Sequence, residues 1–289
     1  MPLPAGTLRE RRKRRRRVYR YVLLTVVILL VAAGFYTIWQ PTFRVQSVSA
    51  QGPGADAAKQ IVLSRLSGTY LYVIPRNSIF FYPQSKMRAM ILDAIPEAAA
   101  VSLKRDSFSS LIVTTIPRDE SFIWCGTSID TPMADGSCFD ADVQGYIFKQ
   151  ADSVSTAVAA TSTASTTPVV ASQKTHEQIR VFGALDTDIA QGQSPIRRYV
   201  ASSGKMADAL KFVDAVRTLG APISALAIRG DEADLWVNAS TRITYVLGHE
   251  QEAAQTAASA LPTLNLTDGS IQYVDLRFPG KAYVKKFGQ

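Results

Sequence analysis

From Tyr21 to Trp39 the chain runs for 19 residues without a charge. A helix of that length reaches roughly 28 Å, about one hydrocarbon core, and pairs its own backbone groups internally. Tyr19, Tyr21, Tyr36 and Trp39 sit near its two ends, where amphipathic rings favour the membrane interface. A cleaved signal peptide has an apolar core of about 7–15 residues with a small-residue cleavage site close behind. This core is longer, and Ser-Val-Ser-Ala at 47–50 lies well beyond it. A retained single membrane helix is therefore expected over 21–39.

Beyond that helix the periodicity shortens. The stretch 43–52 alternates like a strand and stops at Gly52-Pro53-Gly54. Ala58, Ile61, Val62 and Leu66 fall at helical spacing before Gly68. A second helix follows Pro83, carries Met87, Met90, Ile91 and Ala94, and ends before Pro96. Two β-rich runs, 98–106 and 108–117, are close enough to form a hairpin. The order is β-α-α-β-β, with one apolar stripe per helix, so both helices can cover one face of a small sheet. The remainder reads as short strands near 121–125, 143–149, 178–184, 195–201, 222–229, 233–238, 241–247, 270–277 and 281–287. Two helices, 205–219 and 251–261, interrupt them. Arg229-Gly230-Asp231-Glu232 and Asp268-Gly269 mark expected hairpin corners. The expected fold class is α+β: one N-terminal membrane helix, a β-α-α-β-β module, then a mainly antiparallel β domain with two helices. Ala151–Thr175 is almost all Ser, Thr, Ala and Val, and is read as a loop or linker inserted in the last domain.

Charge changes the reading of the N-terminus. Residues 1–20 hold nine Lys/Arg and one acid, Glu10, which accounts for the whole net charge of +8; the rest of the chain balances. A nucleic-acid domain spreads its basic residues over a folded face with aromatics among them. Here the charge is a tail beside an apolar span, which places that flank in the cytoplasm and the bulk of the chain outside. Anionic lipid adds about 1 kcal/mol per basic residue.

The search for chemistry returns little. His176 and His249 are the only histidines. There is no Gly-x-Ser-x-Gly elbow, no His-Glu-x-x-His pair and no phosphate loop. Asp140, Asp142 and Gly145 lack the terminal Glu of a calcium loop and read as a β-turn. Asn-Ala-Ser at 238–240 and Asn-Leu-Thr at 265–267 match the glycosylation pattern, which matters only in a host that uses it. No catalytic residue, cofactor or metal is assigned. Cys125 and Cys138 are either two free thiols or one bridge, worth about 3 kcal/mol in the chain-entropy model.

Several stretches together resemble one family. "FRVQSVSAQG" (43–52) is similar to the opening extracytoplasmic strand of the bacterial cell-division family FtsQ/DivIB. Asp140, Gly145 and Phe148 match its Asp…Gly-x-x-Phe hairpin. Leu247, Gly248 and Glu250 match its Leu-Gly-x-Glu strand end. Asp275, Leu276, Arg277 and Phe278 match its near-terminal hairpin, the closest resemblance. At the junction the family commonly carries Glu-Arg-x-Pro; this chain has Pro117-Arg118-Asp119-Glu120, so Arg118 and, further on, Trp124 fit while the acid and the proline do not. The cysteine pair is outside the family pattern.

The resemblance implies a basic cytoplasmic tail (1–20), a membrane helix (21–39), a POTRA domain (41–118) and a β domain (119–289). It implies a non-enzymatic divisome scaffold at the septum that helps regulate septal peptidoglycan synthesis. The implied partners are FtsB/DivIC-like and FtsL-like bitopic proteins and the septal peptidoglycan synthase complex, with no small-molecule substrate. They would dock on the last strand, 281–287, if it lies at a sheet edge with open backbone groups. Arg277 and Phe278 match docking positions, with Tyr283 and Lys285 near matches. Arg277 equally suits a surface salt bridge, and Phe278 equally suits core packing. A membrane-anchored envelope enzyme and a POTRA-type assembly chaperone are the other classes; the chain carries no pattern for the barrel that the latter would add.

Overall fold

A computed structural model describes residues 6–70, 74–130, 132–133, 136–151, 178–188, 193–200, 203–237 and 240–288. Nearly all of the Ser/Thr-rich tract, His176 and the Asn238 glycosylation position lie outside these residues. The chain divides into two compact units, Met1–Pro117 and Arg118–Gln289.

The first unit begins with helix α1, Gly6–Trp39, which runs back through the basic segment and is longer than expected. Its portion Arg15–Trp39 is long and apolar enough to cross a membrane, and none of it is buried within the fold. Pro41 ends it: proline cannot continue the hydrogen-bond ladder and holds Gln40 extended, at φ −65° and ψ 135°. A 3-10 turn, Pro41–Phe43, follows. The strand expected from residue 43 therefore starts later, as β1, Ser47–Gln51.

Next come α2 (Ala55–Leu66), a two-residue ribbon β2 (Thr69–Tyr70) and β3 (Ile74–Pro75) that periodicity did not signal, α3 (Gln84–Ala94), β4 (Ala98–Arg105) and β5 (Ser110–Pro117). The sheet order is β1-β5-β4, with β1 parallel and β4 antiparallel to β5. Ala58, Val62 and Leu66 of α2 and Met87 and Ile91 of α3 pack on Val48, Leu103, Leu111 and Val113. Both helices thus cover one face of the sheet. The turn after β1 requires glycine: Gly52 has φ +96°, and a Cβ there would strike the Thr115 carbonyl oxygen. Thr115 Oγ1 closes that corner by donating to the carbonyls of Gln51 and Pro53, at 3.0 and 2.8 Å.

The second unit is a sheet backed by two helices. Its strands are β6 (Phe122–Trp124), β7 (Phe139–Ala141), β8 (Ile147–Gln150), β9 (Arg180–Phe182), then, after helix α4 (Ser203–Thr218), β10 (Ile223–Arg229), β11 (Glu232–Val237) and β12 (Thr241–Val246). Helix α5 (Glu250–Ala260) and a 3-10 turn (Leu261–Thr263) lead to β13 (Ile271–Phe278) and β14 (Lys281–Lys286). The order is β14-β13-β12-β11-β10-β9-β6-β7-β8. Five of the eight neighbouring pairs are antiparallel; β6–β9, β9–β10 and β12–β13 are parallel. Two of these parallel pairs arise because α4 and α5 each carry the chain back across the sheet before the next strand.

Both helices bury their stripes on one face. Met206, Phe212, Val213 and Val216 of α4 and Ala253 and Ala257 of α5 meet Leu226, Leu235, Ile243, Tyr245 and Val274. Phe212 and Tyr245 pack ring to ring at 4.4 Å. On the opposite face a smaller cluster of Ile123, Cys125, Phe182, Ala225 and Ala227 forms beneath a bridge between Cys125 and Cys138. The open choice between thiols and a disulfide thus closes on the disulfide.

Three expectations are corrected. Residues 143–149 do not form one strand, because Asp142 Oδ1 accepts from the backbone N–H of Gln144 and Tyr146, both at 3.0 Å, and Gly145 sits at φ +87°. The result is a turn joining β7 to β8. The expected strand at 195–201 reduces to isolated bridges at Tyr199 and Val200; Arg197, at φ +73°, bends the chain just before them. Asp268-Gly269 opens β13 after the 3-10 turn and is not a hairpin corner, whereas the Gly230-Asp231 turn does join β10 to β11.

Candidate docking edge

β13 and β14 form a hairpin across Pro279-Gly280, with Gly280 at φ +67°. β14 is the outermost strand, bonded to β13 alone among the described residues. One side of it turns toward the helix-covered face: Ala282 packs against that cluster, and Val284, still exposed, stands opposite Val274. Tyr283 stands opposite Asp275 and Lys285 opposite Tyr273, on the face away from the helices. A register shift between Asp275 and Phe278 marks a bulge in the ladder.

All four residues anticipated from the sequence lie on this hairpin, in two different situations. Phe278 and Tyr283 are 50 % and 51 % exposed and meet edge to face at 5.4 Å. Such a pair is worth about 1 kcal/mol beyond its buried area and presents an apolar knob to solvent. Phe278 is therefore not a core residue. Arg277, by contrast, is held within the domain. Its Nε donates to Asp275 Oδ1 at 3.0 Å, its Nη2 to Asp275 Oδ2 at 2.7 Å, and its Nη1 to Glu232 Oε1 at 2.8 Å. The side-chain hydrogen bonds from Arg277 hold the Asp275 carboxyl below the usual carboxylate range despite its burial. The same bonds to Asp275 and Glu232 raise the Arg277 guanidinium further. Lys285 lies 6.0 Å over the Tyr273 ring, at the outer limit of a cation–π contact.

The edge is basic and partly apolar. Lys281, Lys285, Lys286, Val284 and Phe287 are all exposed along it. Residues the sequence did not single out extend this face. Asp234, 3 % exposed, pairs with Arg229 at 2.6 Å and accepts from Thr244 Oγ1 at 2.7 Å. Glu232 closes the outer side of Arg277 from β11. An i, i+2 signal was present for Asp275 and Arg277, since they share one face of a strand. No local signal existed for Glu232, 45 residues away.

Other positions singled out in the sequence make contacts within the second unit. Arg118 Nη1 donates to Asp142 Oδ2 at 2.6 Å while its guanidinium covers the Tyr146 ring at 4.3 Å. Burial is the main reason the Tyr146 phenol is pushed up. Asp140 pairs with Lys149 at 3.2 Å. Glu250 Oε1 accepts from the Gly248 N–H at 2.8 Å at the start of α5. Among the described residues no group of three or more His, Cys, Asp or Glu is placed to hold a metal ion.

Comparison with protein-family models returns no match, and comparison with curated proteins returns none either.

Proposed function

We propose that this protein is a non-enzymatic divisome scaffold of the FtsQ/DivIB type. It is anchored by α1 with its basic end in the cytoplasm, and its two units lie outside the membrane as a POTRA domain and a β domain. The observation that carries the docking part of this reading is the open edge of β14, with Phe278 and Tyr283 standing exposed beside it. An incoming strand adds backbone hydrogen bonds along such an edge, and its side chains find the aromatic pair and the Lys281, Lys285 and Lys286 row. The row selects an acidic segment and discourages self-pairing of like-charged edges. The partners are an FtsB/DivIC-like and an FtsL-like bitopic protein, through which the septal peptidoglycan synthase complex is held in check at the septum. Arg277 has a positioning role here: it fixes the hairpin from within the domain and leaves partner contact to its neighbours.

The test is imaging of a fluorescent fusion at the N-terminus in dividing cells. A band at the division site is expected, and recruitment of the bitopic partners fails when Lys281–Gln289 is deleted. An even membrane signal throughout the cycle refutes the divisome assignment.

A further inference from the structure

The first unit carries an aromatic tip at the end where α1 joins it. Three segments meet there. Residues 43–45, just after the helix, are tied to the loop before α3: the Val45 N–H donates to Asn77 O at 2.7 Å and the Ile79 N–H to Phe43 O at 3.0 Å. The β4–β5 turn is tied to the same place, since the N–H groups of Gln46 and Ser47 both donate to Ser109 O. The Phe43 ring sits 5.7 Å from Phe80 and 5.7 Å, edge on, from Phe108. Phe43 is half-buried, but Phe80, Phe81 and Phe108 are exposed, at 47 %, 52 % and 65 %. Phe80 and Phe108 therefore stand exposed around Phe43 at one tip, with Phe81, next to Phe80 in the chain, exposed as well. Arginines lie on the segments that carry them. Arg105 lies 5.8 Å from the Phe80 and Tyr82 rings, Arg44 covers Trp39 at 4.9 Å, and Arg76 covers Tyr70 at 5.1 Å. Lys104 is exposed beside Arg105, and Asp106 is the one acid on the β4–β5 turn.

The distance along the chain sets how near this tip lies to the end of the apolar helix. Trp39 ends the apolar helix, and Phe43 follows four residues later through a 3-10 turn. One extended residue and a three-residue 3-10 turn bound that step at about 9 Å, little more than the roughly 5–7 Å of one headgroup layer. Phenylalanine beside Lys/Arg is also the composition of surfaces that lie in the membrane interface, with the apolar rings buried and anionic headgroups attracting the cations. We infer that the tip formed by Phe80, Phe81 and Phe108 docks into the lipid surface that α1 has just crossed, with Arg44, Arg76 and Arg105 at headgroup phosphates. The first unit then touches the bilayer at two places, the helix and this tip. The inference rests on α1 spanning the membrane and is independent of the divisome reading.

The test uses the full chain with its disulfide intact, in vesicles of phosphatidylcholine and phosphatidylglycerol. Single cysteines are introduced as Phe108→Cys, Phe81→Cys, Leu30→Cys within α1, and Ala57→Cys at the far end of β1 where α2 begins. Each is labelled with an environment-sensitive fluorophore, and quenching is read from nitroxides carried near the headgroups or in the acyl chains. The labels at 108 and 81 are expected to shift to the blue and lose emission to the headgroup-level nitroxide, while the label at 57 does neither. Labels at 108 and 81 that stay in water while position 30 is quenched from the acyl chains overturn the docking and leave the anchor standing; the tip would then be free for a protein partner. A label at 30 that is not quenched overturns the anchor and the inference together.

Discussion

Replacing Arg277 by methionine tests whether that residue positions the hairpin. Asp275 is 7 % exposed, and in the parent its two oxygens face the guanidinium at 2.7–3.1 Å. In Arg277→Met the carboxylate keeps the backbone N–H of residue 277, at 3.0 Å, and loses both side-chain donors. Breaking a fully buried pair costs about 3–5 kcal/mol. Here the guanidinium side chain is 38 % exposed and water reaches it, so screening reduces the expected loss to about 1–2 kcal/mol. Because the Asp275 pKa is depressed in the folded state, its stabilisation is complete above the unfolded value of about 4 and is lost as pH falls through the folded value. The gap between parent and variant should therefore be full at pH 7 and shrink once the pH drops below about 4. The assay is urea unfolding of the full chain in detergent micelles, followed by tryptophan fluorescence at both pH values. Glu232→Gln is the control: both partners there are more than a third exposed, and a shift within about 0.5 kcal/mol is expected. A variant as stable as the parent at pH 7, or a gap that does not narrow in acid, refutes the clamp.

Reduction of the Cys125–Cys138 bridge, or its replacement by two serines, should lower stability by about 3 kcal/mol, read from urea midpoints with and without reductant. Arg118→Ala leaves the Asp142 carboxylate, 5 % exposed, without its cation, and about 1–3 kcal/mol should be lost in the same assay. Phe212→Ala empties the contact with Tyr245 beneath α4, with an expected loss of about 3–5 kcal/mol and a lower calorimetric midpoint.

Helices were the legible part of the chain because their apolar positions repeat locally. Ala58, Val62 and Leu66 lie on one stripe, and α2 appears where that stripe predicts it. Met87 and Ile91 do the same for α3. Strands with regular alternation, such as Leu111-Val113-Thr115 in β5, were legible for the same reason. The failures have side-chain causes that alternation does not carry. Asp142 folds its carboxylate onto two following amides and turns a run of β-favouring residues into a corner. Pro41 delays β1. At the β14 edge, the position and exposure of Phe278 and Tyr283 follow from a hairpin placed last in the sheet. The role of Arg277 depends on Glu232, which only tertiary pairing brings near.

The placement of β9 has a mechanical consequence. The second unit begins at β6, and the open edge is β14, on the other side of the sheet. Load applied between residue 118 and β14 passes laterally through β9. That strand is three residues long, registered with three residues of β10 and two of β6. The Trp124 indole N–H donating to Gly183 O at 2.9 Å, and the Gly183 N–H donating to Gly126 O at 3.0 Å, act as rivets across the same seam. Tension should therefore open the sheet at β9, leaving β10–β14 together as one block.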